Sequence, residues 1–225
     1  KEAAEGASIV ISMVRDNEAS RAVWFAEDTG AIHGLSPSSV ALESSTLTPD
    51  WIREWAKRIT SLGADYLEAP VLGSRPQAEA GKLIYLIGGR SEVLERLRPI
   101  LELMAGAIHH VGEAGTASSL KLAVNTQYSA QVAILAETLT LLSRQGIQAE
   151  AANEILKTLP TTSMAMQVAG QLMAMGNYTP MFPIELVEKD LRYTLQLAEA
   201  SDMSTPSIRS VHGIYREAAE AGLGD

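Results

Sequence analysis

The chain has 225 residues, 46% of them hydrophobic, a formal net charge of −9 and no cysteine. That is enough apolar mass for one large core or two modest ones, and it excludes disulfides and thiolate chemistry. Lys and Arg are scattered, which argues against a nucleic-acid partner, and no run approaches the roughly 20 apolar residues of a membrane span, so a cytoplasmic protein is expected.

Taken in chain order, residues 7–14 (ASIVISMV) read as a buried strand, and Asp16 or Asn17 caps a helix running to about Ala26. Residues 39–43 form a second strand. Thr48-Pro49 opens a helix through Trp51, Trp55 and Ile59 that Gly63 ends. Residues 66–71 and 83–87 are the third and fourth strands, joined by a loop without helical pattern, so that pair is expected to be antiparallel. A helix over 91–104 and a fifth strand over 108–111 follow. Strands alternating with helices imply an α/β fold with a largely parallel sheet covered on both faces. After Gly115 the strands stop. Leu120, Val124, Tyr128, Val132, Leu135, Leu139 and Leu142 recur at helical spacing, predicting one unbroken helix from near Ser118 to about Arg144. Helices at 150–158, 163–175, 184–200 and 206–221 complete an all-α half. The predicted domains are 1–115 (α/β) and 116–225 (all-α), joined by the long helix.

Four constellations carry chemistry. The first, Glu43-Ser44-Ser45-Thr46, ends a strand, and in open α/β sheets ligands bind outside the carboxyl ends of strands. The second runs from Glu68 through Pro70, Leu72, Gly73, Ser74 and Arg75, where turn N–H groups and a guanidinium suit a carboxylate. The third leads through glycines into Lys121-x-x-x-Asn125 at the start of the long helix. There the positive helix end and partial burial both push an amine toward proton transfer at neutral pH. The fourth is Phe182-Pro183 followed by Lys189-Asp190-Leu191, with Lys189 off the apolar stripe of its helix. The four histidines (His33, His109, His110, His212) show no metal-ligand spacing, and no metal is expected.

In this order and at these spacings, the four segments resemble the β-hydroxyacid dehydrogenase family, which includes 3-hydroxyisobutyrate dehydrogenases, tartronate semialdehyde reductases and glyoxylate or succinic semialdehyde reductases. The resemblance runs from Ala7 to about Asp225 and implies a partial Rossmann-type domain, hydride transfer to or from NAD or NADP, and a short hydroxyacid as substrate. It implies that Met13, Val14, Thr46 and Lys189 face the cofactor. Leu72, Gly73, Ser74, Phe182 and Asp190 then face the substrate, and Lys121 is the general acid–base with Asn125 beside it. It also implies a homodimer or homotetramer. Two departures stand out. Leu72 replaces the serine of the family's Asp-Ala-Pro-Val-Ser-Gly-Gly loop. No G-x-G-x-x-G occurs in the 225 residues, so that β–α–β unit is expected ahead of Lys1 and a last helix after Asp225. Lys121 is expected in a cleft, its amine within several ångströms of Lys189 or of residues 72–75. The rival readings are a lyase using Lys121 as a Schiff-base nucleophile and a non-catalytic homologue serving as a binding or oligomerisation protein.

Overall fold

The computed structural model describes residues 1–224; Asp225, the last residue of the second predicted domain, lies outside the described residues. Six strands form one sheet: β1 (Ile9–Ser12), β2 (Val40–Glu43), β3 (Asp65–Glu68), β4 (Val71–Leu72), β5 (Leu83–Gly88) and β6 (Ala105–Gly112). The helices are α1 (Asn17–Phe25), α2 (Pro49–Ser61), α3 (Arg75–Glu79), α4 (Ser91–Leu101), α5 (Thr116–Arg144), α6 (Ala149–Leu156), α7 (Met164–Ala174), α8 (Ile184–Ala200) and α9 (Pro206–Glu220). The chain is thus a mixed α/β fold with a predominantly parallel sheet followed by a helical region containing one long helix. It divides into two compact units, residues 1–123 with 196–203, and residues 124–195 with 204–225.

In the first unit the strand order is β1-β2-β3-β5-β4, with β6 on the other side of β5. β1, β2 and β3 are mutually parallel, as are β5 and β6, whereas β5 runs antiparallel to β3 and β4. The predicted antiparallel pairing is present. The predicted third strand is interrupted, however: β3 ends at Glu68, and β4 resumes at Val71 after the Ala69-Pro70 break. Proline donates no ladder hydrogen bond, which accounts for the interruption. The loop after β4 also holds a short helix, α3, that carried no apolar stripe to announce it.

Strand alternation assigns the two cores. Val40, Leu42, Leu67, Tyr85 and Ile87 point toward α4, whose Val93, Leu94, Leu97 and Leu101 complete one apolar layer. Ala41 faces the other side, where Trp24 of α1 and Trp51, Trp55 and Ile59 of α2 are buried. Trp24 and Trp55 pack in a tilted pair, ring centroids 5.5 Å apart and planes at 59°. Asp16 caps α1 by accepting from the Ala19 N–H at 2.8 Å, and Pro49 fills the first turn of α2 behind its Thr48 cap.

α5 has 29 residues, about 44 Å at 1.5 Å per residue. Its buried positions agree with the predicted stripe at Leu135 and Leu139 and depart from it toward the start of the helix. Leu120 and Tyr128 are exposed, while Leu122, Asn125, Thr126, Ser129, Ala133, Leu135 and Leu139 are buried. In the second unit, α5 packs with α8 and α9 around Ala133, Val187, Leu191 and Tyr215. The Tyr215 hydroxyl donates to the Ser129 carbonyl at 3.0 Å, and burial pushes the phenol up to about 12. α6 and α7 close a second cluster on Leu135 and Leu139. No helix among the described residues is long and apolar enough to cross a membrane.

Candidate active site

In the first unit, candidate residues lie at the carboxyl ends of β1, β2 and β3. Glu43, last in β2, is fully buried and saturated with donors. Its Oε2 accepts from Ser20 Oγ and Trp24 Nε1, both at 2.7 Å. Its Oε1 accepts from the Ser45 N–H at 3.1 Å and from Ser45 Oγ at 2.6 Å. A buried charge persists only when its lone pairs are so filled. Ser45 Oγ in turn accepts from the Val14 N–H at 2.7 Å, tying the turn after β1 to the turn after β2. Beside this lock Met13 is 58% exposed and Thr46 half-buried. An apolar side chain displayed at a strand's carboxyl end beside a hydroxyl suits the flat face of a nicotinamide ring. The Val14 N–H is already committed to Ser45, so Val14 offers its side chain rather than a donor.

Glu68, last in β3, is also fully buried. Its Oε2 accepts from the Gly115 N–H at 2.8 Å and its Oε1 from the Ser118 N–H at 2.5 Å. Burial pushes this carboxyl up from its usual 4.5, while the Ser118 hydroxyl and the N–H donors of Gly115, Ser118 and Ala117 pull it part of the way back. The glycine-rich lead into α5 is thereby explained: Gly115 adopts φ +91, a conformation open to glycine, and turns its N–H onto Glu68. Lys121 lies half-buried on the second turn of α5.

The remaining first-unit candidates sit on β4 and α3. Leu72 is half-buried and pairs with Ile84, and Gly73 has φ +112. The Ser74 N–H, expected to face a carboxylate, donates instead to Gln77 Oε1 at 2.9 Å, and Ser74 Oγ donates to the same atom at 3.2 Å. Arg75 pairs with Glu79 at 2.7 Å and is largely exposed. Both side chains answer to the short helix they begin.

The second unit gathers Asn125, Lys189 and Asp190 into one cluster, all three buried. The Asp190 carboxylate bridges the other two: Oδ1 lies 3.0 Å from Lys189 Nζ, and Oδ2 accepts from Asn125 Nδ2 at 2.5 Å. Lys189 Nζ also stands 5.1 Å above the Tyr193 ring. Lys189 lies off the apolar stripe of its helix and is nevertheless buried; the adjacent carboxylate makes its burial tolerable. Asp190, expected to face substrate, has each oxygen engaged by a neighbouring side chain, which makes it the element that orients Lys189 and Asn125. Phe182 is half-buried against the cluster of Val187, Leu191 and Tyr215. Sequence reasoning missed the bridging role of Asp190 and the anchoring roles of Glu43 and Glu68. The partners of Glu68 lie 47 and 50 residues away, so no local pattern signals them. Surface depressions of about 420 and 480 Å³, lined by α5 residues near Leu141 and by α2 residues near Lys57, contain none of the predicted site residues.

Residues 1–112 match the profile of the NAD-binding domain of 6-phosphogluconate dehydrogenase, and residues 115–225 that of the NAD-binding domain of NADP-dependent 3-hydroxyisobutyrate dehydrogenase. The chain is 32% identical over 196 residues to glyoxylate/succinic semialdehyde reductase 2 of Arabidopsis thaliana, spanning 87% of this chain and 55% of that protein. It is 28% identical over 222 residues to 2-hydroxy-3-oxopropionate reductase of Escherichia coli, spanning 99% of this chain and 76% of that one. Among solved structures, a 3-hydroxyisobutyrate dehydrogenase from Salmonella typhimurium superposes with TM-score 0.90 at 25% identity, over 99% of this chain and 78% of that chain. The chain thus spans between about half and three-quarters of the length of these relatives.

Proposed function

From the premise that this chain belongs to the 3-hydroxyisobutyrate dehydrogenase family of NAD(P)-dependent oxidoreductases, we propose that its protein interconverts a short-chain 3-hydroxyacid and the corresponding semialdehyde or oxo acid. The observation that carries this reading is the buried Asn125–Asp190–Lys189 cluster on α5 and α8. It holds the Asn125 amide and the Lys189 ammonium on one carboxylate, and Asn125 follows Lys121 by four residues on α5. Bound NAD or NADP supplies or accepts the hydride. Met13, Val14 and Thr46 form the wall for its nicotinamide end, consistent with the exposed Met13 and the Ser45 lock beside it.

In this reading Lys121 donates a proton to the carbonyl oxygen during reduction and removes it from the hydroxyl during oxidation. Asn125 steadies that oxygen, and Asp190 holds the Asn125 amide and the Lys189 ammonium in place. Leu72, Gly73, Ser74 and Phe182 define the remainder of the substrate site. Residues 1–115 serve the cofactor and residues 116–225 the substrate and self-association; the position of the boundary, though not the division of roles, is supported by the two profiles meeting near residue 114. The substrate is a small hydroxyacid rather than a polyanion, and a cytoplasmic location fits a chain without cysteine. A homodimer or homotetramer is supported by apolar side chains exposed on α6 and α7, among them Ile155 at 61%, Met164 at 82% and Val168 at 63%.

The test is Lys121→Ala in the full-length protein, followed by nicotinamide absorbance with a panel of C3–C5 hydroxyacids. Loss of about 10²–10⁴ in kcat with little change in nicotinamide affinity is expected. Near-wild-type turnover would overturn the assignment.

A further inference from the structure

An α-helix begins with N–H groups that have no partner within the helix, and a capping box satisfies two of them from residues nearby. In α5 the residue at the cap position is Gly115, which has no side chain to offer. The same two N–H groups that a capping box would serve, those of the cap residue and the third helical residue, both reach the buried carboxylate of Glu68. The cap is therefore supplied from the end of β3. The site is built around this contact. A Cβ at Gly88, opposite Glu68 on β5, would stand 2.2 Å from Glu68 Oε2, and a Cβ at Gly115 would stand 3.0 Å from Arg53 Nε and 3.1 Å from the Pro49 carbonyl. The carboxylate is thus closely packed from β5, and the cap residue from α2. Lys121 follows Ser118 by three residues, less than one turn.

We propose that Glu68 is a positioning residue for Lys121. Its carboxylate pins the first turn of α5 to the sheet, and so fixes the rotation and axial position of the helix turn from which the amine projects. The proposal rests on Lys121 being the proton-transfer residue. A two-point attachment at the cap and third positions leaves the helix neither free to rotate nor free to slide. A neutral amide cannot reproduce it, because one of its two atoms is a donor facing a donor. Displacement of a reacting group by about 1 Å costs up to about 10²-fold in rate.

The experiment compares Glu68→Gln, Glu68→Asp, Lys121→Ala and a core control, Leu101→Val, in the full-length protein. Leu101 is buried against the opposite face of the sheet, so this control reports general loosening of the unit. Two quantities are read: the kcat and KM of hydroxyacid oxidation, and, without substrate or cofactor, the rate at which an amine-acylating reagent labels Lys121 relative to exposed Lys57. Glu68→Gln should lower kcat by about 10- to 100-fold with KM within about twofold of wild type. Its Lys121 labelling ratio should change, and Leu101→Val should move neither quantity. Glu68→Asp, which keeps the charge but loses reach, should fall between Glu68→Gln and wild type. If Lys121→Ala abolishes turnover but Glu68→Gln merely tracks Leu101→Val, the positioning role is refuted and the function stands. If Lys121→Ala leaves turnover intact, both fall together. A Glu68→Gln variant with raised KM at normal kcat would also overturn the proposal.

Discussion

Removing the Asp190 carboxylate should cost more stability than removing any other single charge in the second unit. The Asp190 and Lys189 side chains are only 4% and 8% exposed, with 3.0 Å between the charged atoms. At an effective dielectric constant near 20 the attraction at that distance is about 5–6 kcal/mol before desolvation is counted. Desolvation takes back most of it, so the pair itself contributes little net stability. Breaking it is another matter. Asp190→Ala takes the carboxylate away from a buried ammonium, at a cost of about 3–5 kcal/mol, and removes the acceptor that Asn125 Nδ2 now has at 2.5 Å, at about 1–3 kcal/mol more. The sum, about 4–8 kcal/mol, approaches the whole stability of an ordinary domain. Lys189→Met alone strands the carboxylate instead, although Asn125 still donates to it, and should cost about 3 kcal/mol or more. The double variant Lys189→Met/Asp190→Ala removes both charges and should recover much of that loss. Urea unfolding of the four proteins gives the cycle, and a coupling of about 3–5 kcal/mol is expected. Additive losses, with a coupling near zero, would show that the two charges do not depend on each other and would refute the bridging role of Asp190.

Other consequences follow from the first unit. Gly88→Ala places a Cβ 2.2 Å from Glu68 Oε2, so thermal or urea unfolding should show a loss of about 1–3 kcal/mol, partly relieved by adding Glu68→Asp, whose shorter side chain withdraws the oxygen. Burial raises the Glu68 carboxyl above 4.5, so the folded chain holds a proton there that the unfolded chain has released. Stability should therefore fall as pH rises from about 4.5 through the folded value and then level off, relative to Glu68→Gln; a wild-type-minus-variant difference that is flat or increases with pH would contradict this. Leu72→Ser should shift preference toward hydroxylated acids and away from alkyl-bearing ones by about tenfold each way, read as kcat/KM over a C3–C5 panel; an unchanged ranking would mean that Leu72 does not face the substrate.

Most of the architecture was legible because it is written in local signals. The Thr48-Pro49 cap, the Asp16 cap and the glycines after α2 and α5 mark helix ends, and short β-branched runs mark β1, β2 and β5. The long helix was legible from its length of apolar recurrence, but its inner face was not. Asn125, Thr126 and Ser129 are buried polar residues, and a reading that equates burial with apolarity assigns the inside to Leu120 and Tyr128, which are exposed. The motif Lys121-x-x-x-Asn125 and the pair Lys189-Asp190 could be picked out by type and spacing. That Asp190 would turn its two oxygens on Lys189 and Asn125 could not, because Asn125 lies 65 residues away. The same holds for Ser74, whose N–H was assigned to a ligand in ignorance of the helix that claims it.

The register of the sheet shows why glutamate stands at the ends of both β2 and β3. Ser12, Glu43 and Glu68 are direct register partners across β1, β2 and β3, and Gly88 continues the row on β5. Register partners project from the same face of a sheet, here the face on which Trp24 and Trp55 are buried. Two carboxylates on strands about 4.8 Å apart repel unless each is drawn to its own donors. Glu43 turns toward α1 and Ser45, and Glu68 toward the first turn of α5, so each draws a different element onto the carboxyl edge of the sheet. Glu43 through Ser45 fixes the turn that carries Val14, and Glu68 fixes the turn that leads to Lys121. Gly88, which has no side chain, leaves the space that Glu68 occupies. Glutamate, glutamate and glycine along this row are thus one requirement rather than three. An apolar residue at either acidic position would fill the volume but would leave two to four buried donors unpaired, at about 1–3 kcal/mol each.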